Sequence, residues 1–307
     1  MQFLDLIVPD DAEFRRLALA IHGERVDLQR AFPANSAAFA RWLLVHGPLE
    51  YPDRLGRWSL PVPPVDLRRT ACGGSDASDH LRTGLDDAEA IFDLTRTFVD
   101  APVDSGLRVL DFGCACGRLV RWLPRALPNS RISGCDVRVA AVDWCQQNLV
   151  GDFRPNGVEP PLPFADHSFD LVVSLSVFTH LTRESNARWI AELVRVTKPN
   201  GRLLLSMLGT FALFVIQRQP ETQRFFEVSA EQARDYARRL ASEHWLIHPT
   251  SPHYVAGLGG VEPGYGQVFN DETFVRTAWA SLVEIVGVVP AGLGLFQDFY
   301  MLRPKQR

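Results

Sequence analysis

The sequence predicts an α/β fold: a mostly parallel sheet with helices on both faces. Two observations carry this. Between residues 107 and 208, short apolar segments of strand length alternate with segments of helical spacing. Strands that alternate with helices in this way imply a mostly parallel sheet covered on both faces. A short loop with glycine at both ends, Gly113 and Gly117, joins the first of these strands to the segment that follows.

The elements follow in order. Residues 10–30 and 36–46 have helical spacing of apolar residues, and Pro61-Val62-Pro63-Pro64 then breaks regular structure. Gly73-Gly74-Ser75-Asp76 reads as a loop and 87–99 as a further helix. In the central part, 108–112 is a strand, 118–127 a helix, 131–136 a strand, 139–149 a helix and 169–177 a strand. Residues 183–197 form an amphipathic helix capped by Thr182. Pro199-Asn200-Gly201 turns the chain into a strand over 202–207. Farther on, Ser229-Ala230-Glu231-Gln232 is a capping box, and Asn270 is expected to cap another helix. Segments 281–289 and 295–302 read as an antiparallel pair ending the sheet. Two regions result: an N-terminal, mostly helical extension over 1–106, and an α/β domain over 107–307. The stretch at about 209–270 is an insertion near the ligand-binding edge of the sheet.

Composition narrows the function. The 307 residues are 46% apolar and 22% charged, ordinary for a globular chain. With 32 Lys+Arg against 36 Asp+Glu the net charge is −4, which argues against nucleic acid as a partner. No apolar run reaches 18 residues and the N-terminus has no basic start, so neither a membrane span nor a signal peptide is expected. Five cysteines, an odd number lying in core-like segments, read as reduced thiols in a cytoplasmic protein. Cys114 and Cys116 have no second Cys/His cluster nearby and are expected to fill a tight loop; no metal is expected.

The chemistry centres on Val109-Leu110-Asp111-Phe112-Gly113-Cys114-Ala115-Cys116-Gly117-Arg118. A nicotinamide fingerprint fails at two glycine positions, held here by Ala115 and Arg118, and G-x-x-x-x-G-K-[ST] is absent. Asp111, two residues before Gly113, would repel a pyrophosphate. A ligand with both a carboxylate and cationic groups suits the loop better: its carboxylate can meet N–H groups at the helix start, and its ammonium can meet Asp111. S-adenosylmethionine is such a ligand. Asp136 ends the next strand, 25 residues after Asp111, where an acid can accept ribose hydroxyls.

The set VLDFGCACGR (109–118), GCDV (134–137), LPFADHSFDLVVSLSVFTHL (162–181) and ELVRVTKPNGRLLLSM (192–207) resembles the class I S-adenosylmethionine-dependent methyltransferases. Weaker resemblance over 63–84, 264–279 and 297–303 is to bacterial small-molecule methyltransferases of sugar, surface-polysaccharide and natural-product pathways. The resemblance implies a Rossmann-like, seven-stranded sheet in order 3-2-1-4-5-7-6 with strand 7 antiparallel. It implies that Asp111, Gly113 and Gly117 meet the methionine end, Asp136 the ribose and Asn156 the adenine edge, with Ser174 lining the ligand. Phe112, Cys114, Val137, Gly157 and Leu175 complete the implied cofactor contacts. Relatives usually carry glycine where this chain has Ala115, and often histidine where it has Asn270.

The expected reaction is methyl transfer to an O, N or C atom of a small molecule, with S-adenosylhomocysteine as product. Ser174-Leu175-Ser176-Val177 stands where amine-methylating enzymes of bases and glutamine carry an [Asp/Asn]-Pro-Pro-aromatic tetrad. His180, after the fourth strand, is the leading candidate base. His253, Tyr254 and Tyr265 lie in the insertion, and His253 and Tyr265 are further candidates for catalysis. Two alternatives stay open: a cyclase or rearrangement enzyme that uses the sulfonium as a fixed charge, and a non-catalytic binding protein. The first hundred residues either close over the cofactor or build a homodimer interface.

Overall fold

Residue alternation along the strands sets the layers. In the computed structural model, which describes residues 2–8, 11–72, 75–250, 264–294 and 296–305, β1 (Arg108–Phe112) lies between β2 (Arg131–Asp136) and β4 (Phe169–Ser174), parallel to both. Its Val109 joins a buried cluster on one face of the sheet, while Leu110 and Phe112 join another on the opposite face. The first face is covered by α1 (Phe3–Ile7), α7 (Ala77–Phe98), α8 (Leu123–Ala126) and α9 (Val139–Asn148), through residues such as Ile7, Leu85, Ile91, Leu123 and Val142. The second is covered by α10 (Arg183–Val196) and by α14 (Glu272–Ala278), through Trp189, Ile190, Leu193, Phe274 and Val275.

The sheet continues from β2 to β3 (Asp152–Pro155) on one side and from β4 to β5 (Thr197–Leu208) on the other, all parallel. β9 (Gln297–Pro304) runs antiparallel along β5, and β8 (Val283–Leu293) runs antiparallel along β9. The body is thus β3-β2-β1-β4-β5-β9-β8, the seven-stranded order expected, with its last strand in sequence antiparallel. Two further strands were not expected. β6 (Trp245–Pro249) and β7 (Gly266–Asn270) form an antiparallel pair, and β7 joins the end of β5 through Leu208 and Phe269.

The other helices of the N-terminal region are α2 (Ala12–Glu24), α3 (Val26–Ala31), α4 (Ala37–Glu50), α5 (Pro52–Leu55) and α6 (Val65–Cys72). Phe14, Ile21, Leu28, Phe39, Leu43 and Leu55 form a small core of their own there. In the insertion lie α11 (Thr210–Ile216), α12 (Pro220–Phe226) and α13 (Ala230–Glu243), the last opening on the expected Ser229/Gln232 capping box.

Several elements differ from expectation for identifiable reasons. The segment 118–127 is mostly a chain of turns, with only Leu123–Ala126 α-helical. Gly117 is left-handed at φ 81°, the Arg121 side chain donates to the Gly117 carbonyl at 3.0 Å, and Pro124 has no N–H to give the preceding turn. The helix expected over 87–99 starts ten residues earlier, because the Asp76 carboxylate accepts the Asp79 N–H at 2.8 Å. The strand expected to reach Val177 stops at Ser174, since Ser176 turns at φ 59°. Asn270 does not cap the last helix: Asp271 does, accepting the Phe274 N–H at 3.0 Å, while Asn270 ends β7 fully buried.

Candidate functional site

A cavity of about 500 Å³ opens at the C-terminal ends of β1, β2 and β4, within the size range of small-molecule sites. Asp111 and Phe112 line it from the end of β1, Gly113, Cys114 and Ala115 from the loop that follows, and Asp136 and Val137 from the end of β2. Asn156 lines it from just after β3, and Leu175 and His180 from the segment after β4. Tyr265 also lines it. Gly117, Gly157 and Ser174 are not among the lining residues. Gly117 acts from behind: a Cβ there would run into Leu149 and stand 3.2 Å from the Cys145 sulfur. Ser174 is fully buried, its hydroxyl without a partner. His253 and Tyr254 lie outside the described residues.

The turn after β1 is held by hydrogen bonds to β2. The Gly113 and Cys114 N–H groups both donate to the Cys135 carbonyl, at 2.8 and 3.0 Å. The Ala115 N–H donates to Asp136 Oδ2 at 2.9 Å, and the Gly117 N–H to the Cys114 carbonyl at 2.9 Å. These four donors are therefore engaged, and no regular helix starts at the loop. The expected role of loop N–H groups in meeting a ligand carboxylate loses its basis at these positions. Gly113 and Gly117 take φ 83° and 81°, and Ala115 takes φ 50°. A left-handed alanine explains why glycine suits this position: the strain costs about 1–2 kcal/mol.

Asp111 and Asp136 are the buried acids at adjacent strand ends, 3% and 8% exposed. Each oxygen of Asp136 accepts one backbone N–H, from Ala115 and from Arg138, both at 2.9 Å. A carboxylate oxygen has two acceptor directions, a chemistry suited to hydroxyl donors on a ligand. The Asn156 N–H donates to the Asp136 carbonyl at 3.1 Å, which ties this loop to β2. Its side-chain NH2 donates to the Gly157 carbonyl at 2.7 Å, while its Oδ1 is buried without a partner. That acceptor beside the cavity suits an exocyclic amine such as adenine carries.

His180 lies with its ring stacked on Tyr265, centroids 4.5 Å apart. Its Nδ1 is 3.0 Å from the Gly266 carbonyl, so Nδ1 carries the proton and Nε2 the lone pair. Burial, the dominant cause, pulls its pKa down to about 4; the nearby Arg138 charge adds to this and the Gly266 carbonyl opposes it. The ring is neutral at pH 7, a weaker base than an unperturbed imidazole. The Cys114 thiol is pushed well up, first by its hydrogen bond with Cys145 and then by burial, so it stays protonated. Among the described residues no group of His, Cys, Asp and Glu is placed to hold a metal ion.

Other lining residues were missed in the sequence. Gln297, at the start of β9, accepts the Ser206 hydroxyl at 2.7 Å and donates to Ser176 Oγ at 2.9 Å. It comes from the far end of the chain, and no local spacing announces it. Phe225, Phe226, Leu293 and Phe296 make an apolar side of the cavity. Thr83 and Asp87 enter from α7; their spacing of four residues on one helix was a usable signal, obscured by the later predicted start of that helix.

The residues fit S-adenosylmethionine: two buried acids on adjacent strand ends for its ammonium and ribose, an open acceptor for adenine, and adequate volume. Residues 110–205 match the family described as "Methyltransferase domain". Over that segment the chain is thus similar to a methyltransferase domain.

The chain is 32% identical over 151 residues to phthiotriol/phenolphthiotriol dimycocerosates methyltransferase 1 of Mycobacterium ulcerans, covering 48% of this chain and 49% of that one. It is 30% identical over 160 residues to probable tRNA methyltransferase 9B of Mus musculus, covering 48% of this chain and 32% of that one. Among solved structures, magnesium protoporphyrin IX methyltransferase of Synechocystis with bound S-adenosylmethionine aligns at a TM-score of 0.45 and 16% identity, covering 88% and 93% of the two chains. The chain spans about half the length of the curated relatives it matches.

Proposed function

We propose that the protein transfers the methyl group of S-adenosylmethionine to an O, N or C atom of a small molecule, a sugar or natural-product intermediate with an apolar face. The observation that carries this reading is the join of two surfaces in one cavity. Asp111, Asp136 and Asn156 form a polar side suited to the cofactor, and Phe225, Phe226, Leu293 and Phe296 an apolar side suited to an acceptor. A net charge of −4 supports a small molecule over a nucleic acid. The buried free thiols of Cys114, Cys116, Cys135 and Cys145 suit a reducing, cytoplasmic compartment. No helix among the described residues is long and apolar enough to cross a membrane.

In this reading Asp111 holds the cofactor's ammonium, Asp136 the ribose hydroxyls and Asn156 Oδ1 the adenine amine. When bound, S-adenosylmethionine supplies an electrophilic methyl carbon on a sulfonium and leaves as S-adenosylhomocysteine. The walls align the acceptor lone pair with that carbon, and orientation of this kind contributes up to about 7–11 kcal/mol. For a hydroxyl acceptor, neutral His180 offers Nε2 to receive the proton as the new bond forms. Its low pKa limits it to a modest pull late in the transfer. Tyr265, stacked on that ring, fixes its plane.

Calorimetric titration with S-adenosylmethionine tests the reading, followed by detection of S-adenosylhomocysteine across a panel of sugar and polyketide acceptors. Saturable binding with turnover on at least one acceptor is expected. Absence of binding at near-millimolar cofactor overturns the proposal. Conversion of an acceptor without S-adenosylhomocysteine would select rearrangement chemistry instead.

A further inference from the structure

We propose that Arg118, held in place by Asp87 of α7, recognises the carboxylate of the cofactor's amino-acid end, so that the N-terminal region completes the cofactor site. The inference rests on the reading that the cavity takes S-adenosylmethionine.

Four N–H groups of the β1 turn are already engaged. The Gly113, Cys114, Ala115 and Gly117 N–H groups are committed to Cys135, Asp136 and Cys114, and only turns follow them. A carboxylate placed beside the acids Asp111 and Asp136 needs a cation to offset their repulsion. Among the described residues two arginines line the cavity and no lysine does: Arg118 and Arg138. Arg138 follows β2 and lines the cavity too, and its charge helps to lower the His180 pKa. Arg118 follows the β1 turn itself and shares the lining with Asp111.

The placement of Arg118 is built rather than incidental. Its Nη1 donates to Asp87 Oδ2, and the Asp87 side chain is only 7% exposed. A guanidinium presents five N–H donors in a fork, and the bond to Asp87 orients that fork. Gly84, between Thr83 and Asp87 on α7, lets the helix lie directly on the Arg118 backbone. A Cβ at Gly84 would run into the Arg118 carbonyl oxygen and stand 3.0 Å from Trp122 Nε1. The α7 residues Leu81, Leu85 and Ala88 are fully buried in one cluster with Leu119, Trp122 and Leu123. Helix and loop therefore form one packed unit, and the pair Asp87–Arg118 sits on its cavity side.

The test compares S-adenosylmethionine with its decarboxylated form, which keeps the adenosine, sulfonium and ammonium and lacks only the carboxylate. Both are titrated by calorimetry into the full chain. Wild type is expected to prefer S-adenosylmethionine by about tenfold or more, as a charge-assisted pair allows. In Arg118→Gln, S-adenosylmethionine should weaken about tenfold while the decarboxylated form changes less than about threefold, so the preference collapses. Arg118→Lys, which keeps the charge and loses the fork, should retain part of the preference. Asp87→Asn should reduce the preference with Arg118 intact, the mark of a positioning residue. Arg138→Gln should leave it unchanged. A preference that survives Arg118→Gln, or that is lost in Arg138→Gln instead, overturns the inference while leaving the cofactor reading intact. Failure of both ligands to bind wild type overturns the cofactor reading itself, and this inference with it.

Discussion

Replacing Gly113 with alanine tests how the β1 turn is built. Two costs follow from the geometry. Gly113 is at φ 83°, where an L side chain costs about 1–2 kcal/mol. An added Cβ would also run into Val177 Cγ2, and overpacking a stiff β-branched neighbour costs typically about 1–3 kcal/mol. Gly113→Ala alone should therefore destabilise by about 2–5 kcal/mol. Val177→Ala alone removes two methyl groups from a half-buried position and should cost about 1 kcal/mol. In the double variant the clash disappears and the backbone strain remains. The two changes should then couple favourably by about 1–3 kcal/mol. Urea denaturation of wild type, both single variants and the double variant measures the coupling, provided the slope of stability against urea is unchanged. Additivity within about 0.5 kcal/mol would refute the reasoning, because it would mean the alanine never meets Val177.

Three further outcomes are expected. Ala115→Gly relieves left-handed strain of about 1–2 kcal/mol and gives back about 0.4–1 kcal/mol in unfolded-state entropy, so the melting temperature should rise by about 2 °C; a fall would contradict the φ of 50°. Asp111→Asn should weaken S-adenosylmethionine binding at least about tenfold with the far-UV spectrum unchanged, because the ammonium loses a charge-assisted partner. Burial holds the His180 pKa at about 4, below its ordinary value, so between these values the unfolded chain takes up a proton that the folded chain refuses. The stability present at pH 7.5 should therefore fall on acidification, by up to about 2 kcal/mol at pH 5. His180→Gln should flatten that dependence in urea titrations at the two pH values, and an unchanged slope would remove the histidine as its source.

Much of the sheet body was legible because its strands carry dense apolar runs bounded by turn residues. The strand over 131–136 was bounded correctly, and the antiparallel pair at the C-terminus was foreseen, although Pro290-Ala291-Gly292 lies inside β8 at a register shift and does not separate the strands. The hairpin of β6 and β7 was not legible. Trp245-Leu246-Ile247-His248-Pro249 is short, its partner lies many residues downstream, and their pairing is a long-range event that no local pattern encodes. The segment after Gly117 was misread because Leu119, Val120, Trp122 and Leu123 have a helix-compatible spacing. They are buried as expected, yet a glycine at φ 81° and the Arg121 bond to its carbonyl redirect the backbone.

The lining of the cavity was legible where it lies on strand ends. Asp111 and Asp136 are placed by register alone, residue against residue across β1 and β2. It was hidden where side chains arrive from elsewhere. Gln297 reaches Ser176 across 121 residues of sequence, and Asp87 reaches Arg118 across 31. The glycine loop also showed its donors only through their partners: a backbone N–H that looks available in sequence is committed once β2 stands beside it.

The segment shared with the family, 110–205, contributes the floor of the cavity but not its full enclosure. Thr83 and Asp87 come from upstream of it, and Phe225, Gln267, Leu293 and Phe296 from downstream. A fragment trimmed to the shared segment would lack those walls, and swapping such a segment into another scaffold would transplant a floor without a room. The same division sets the acids on the shared strands apart from walls that distant stretches of the chain supply.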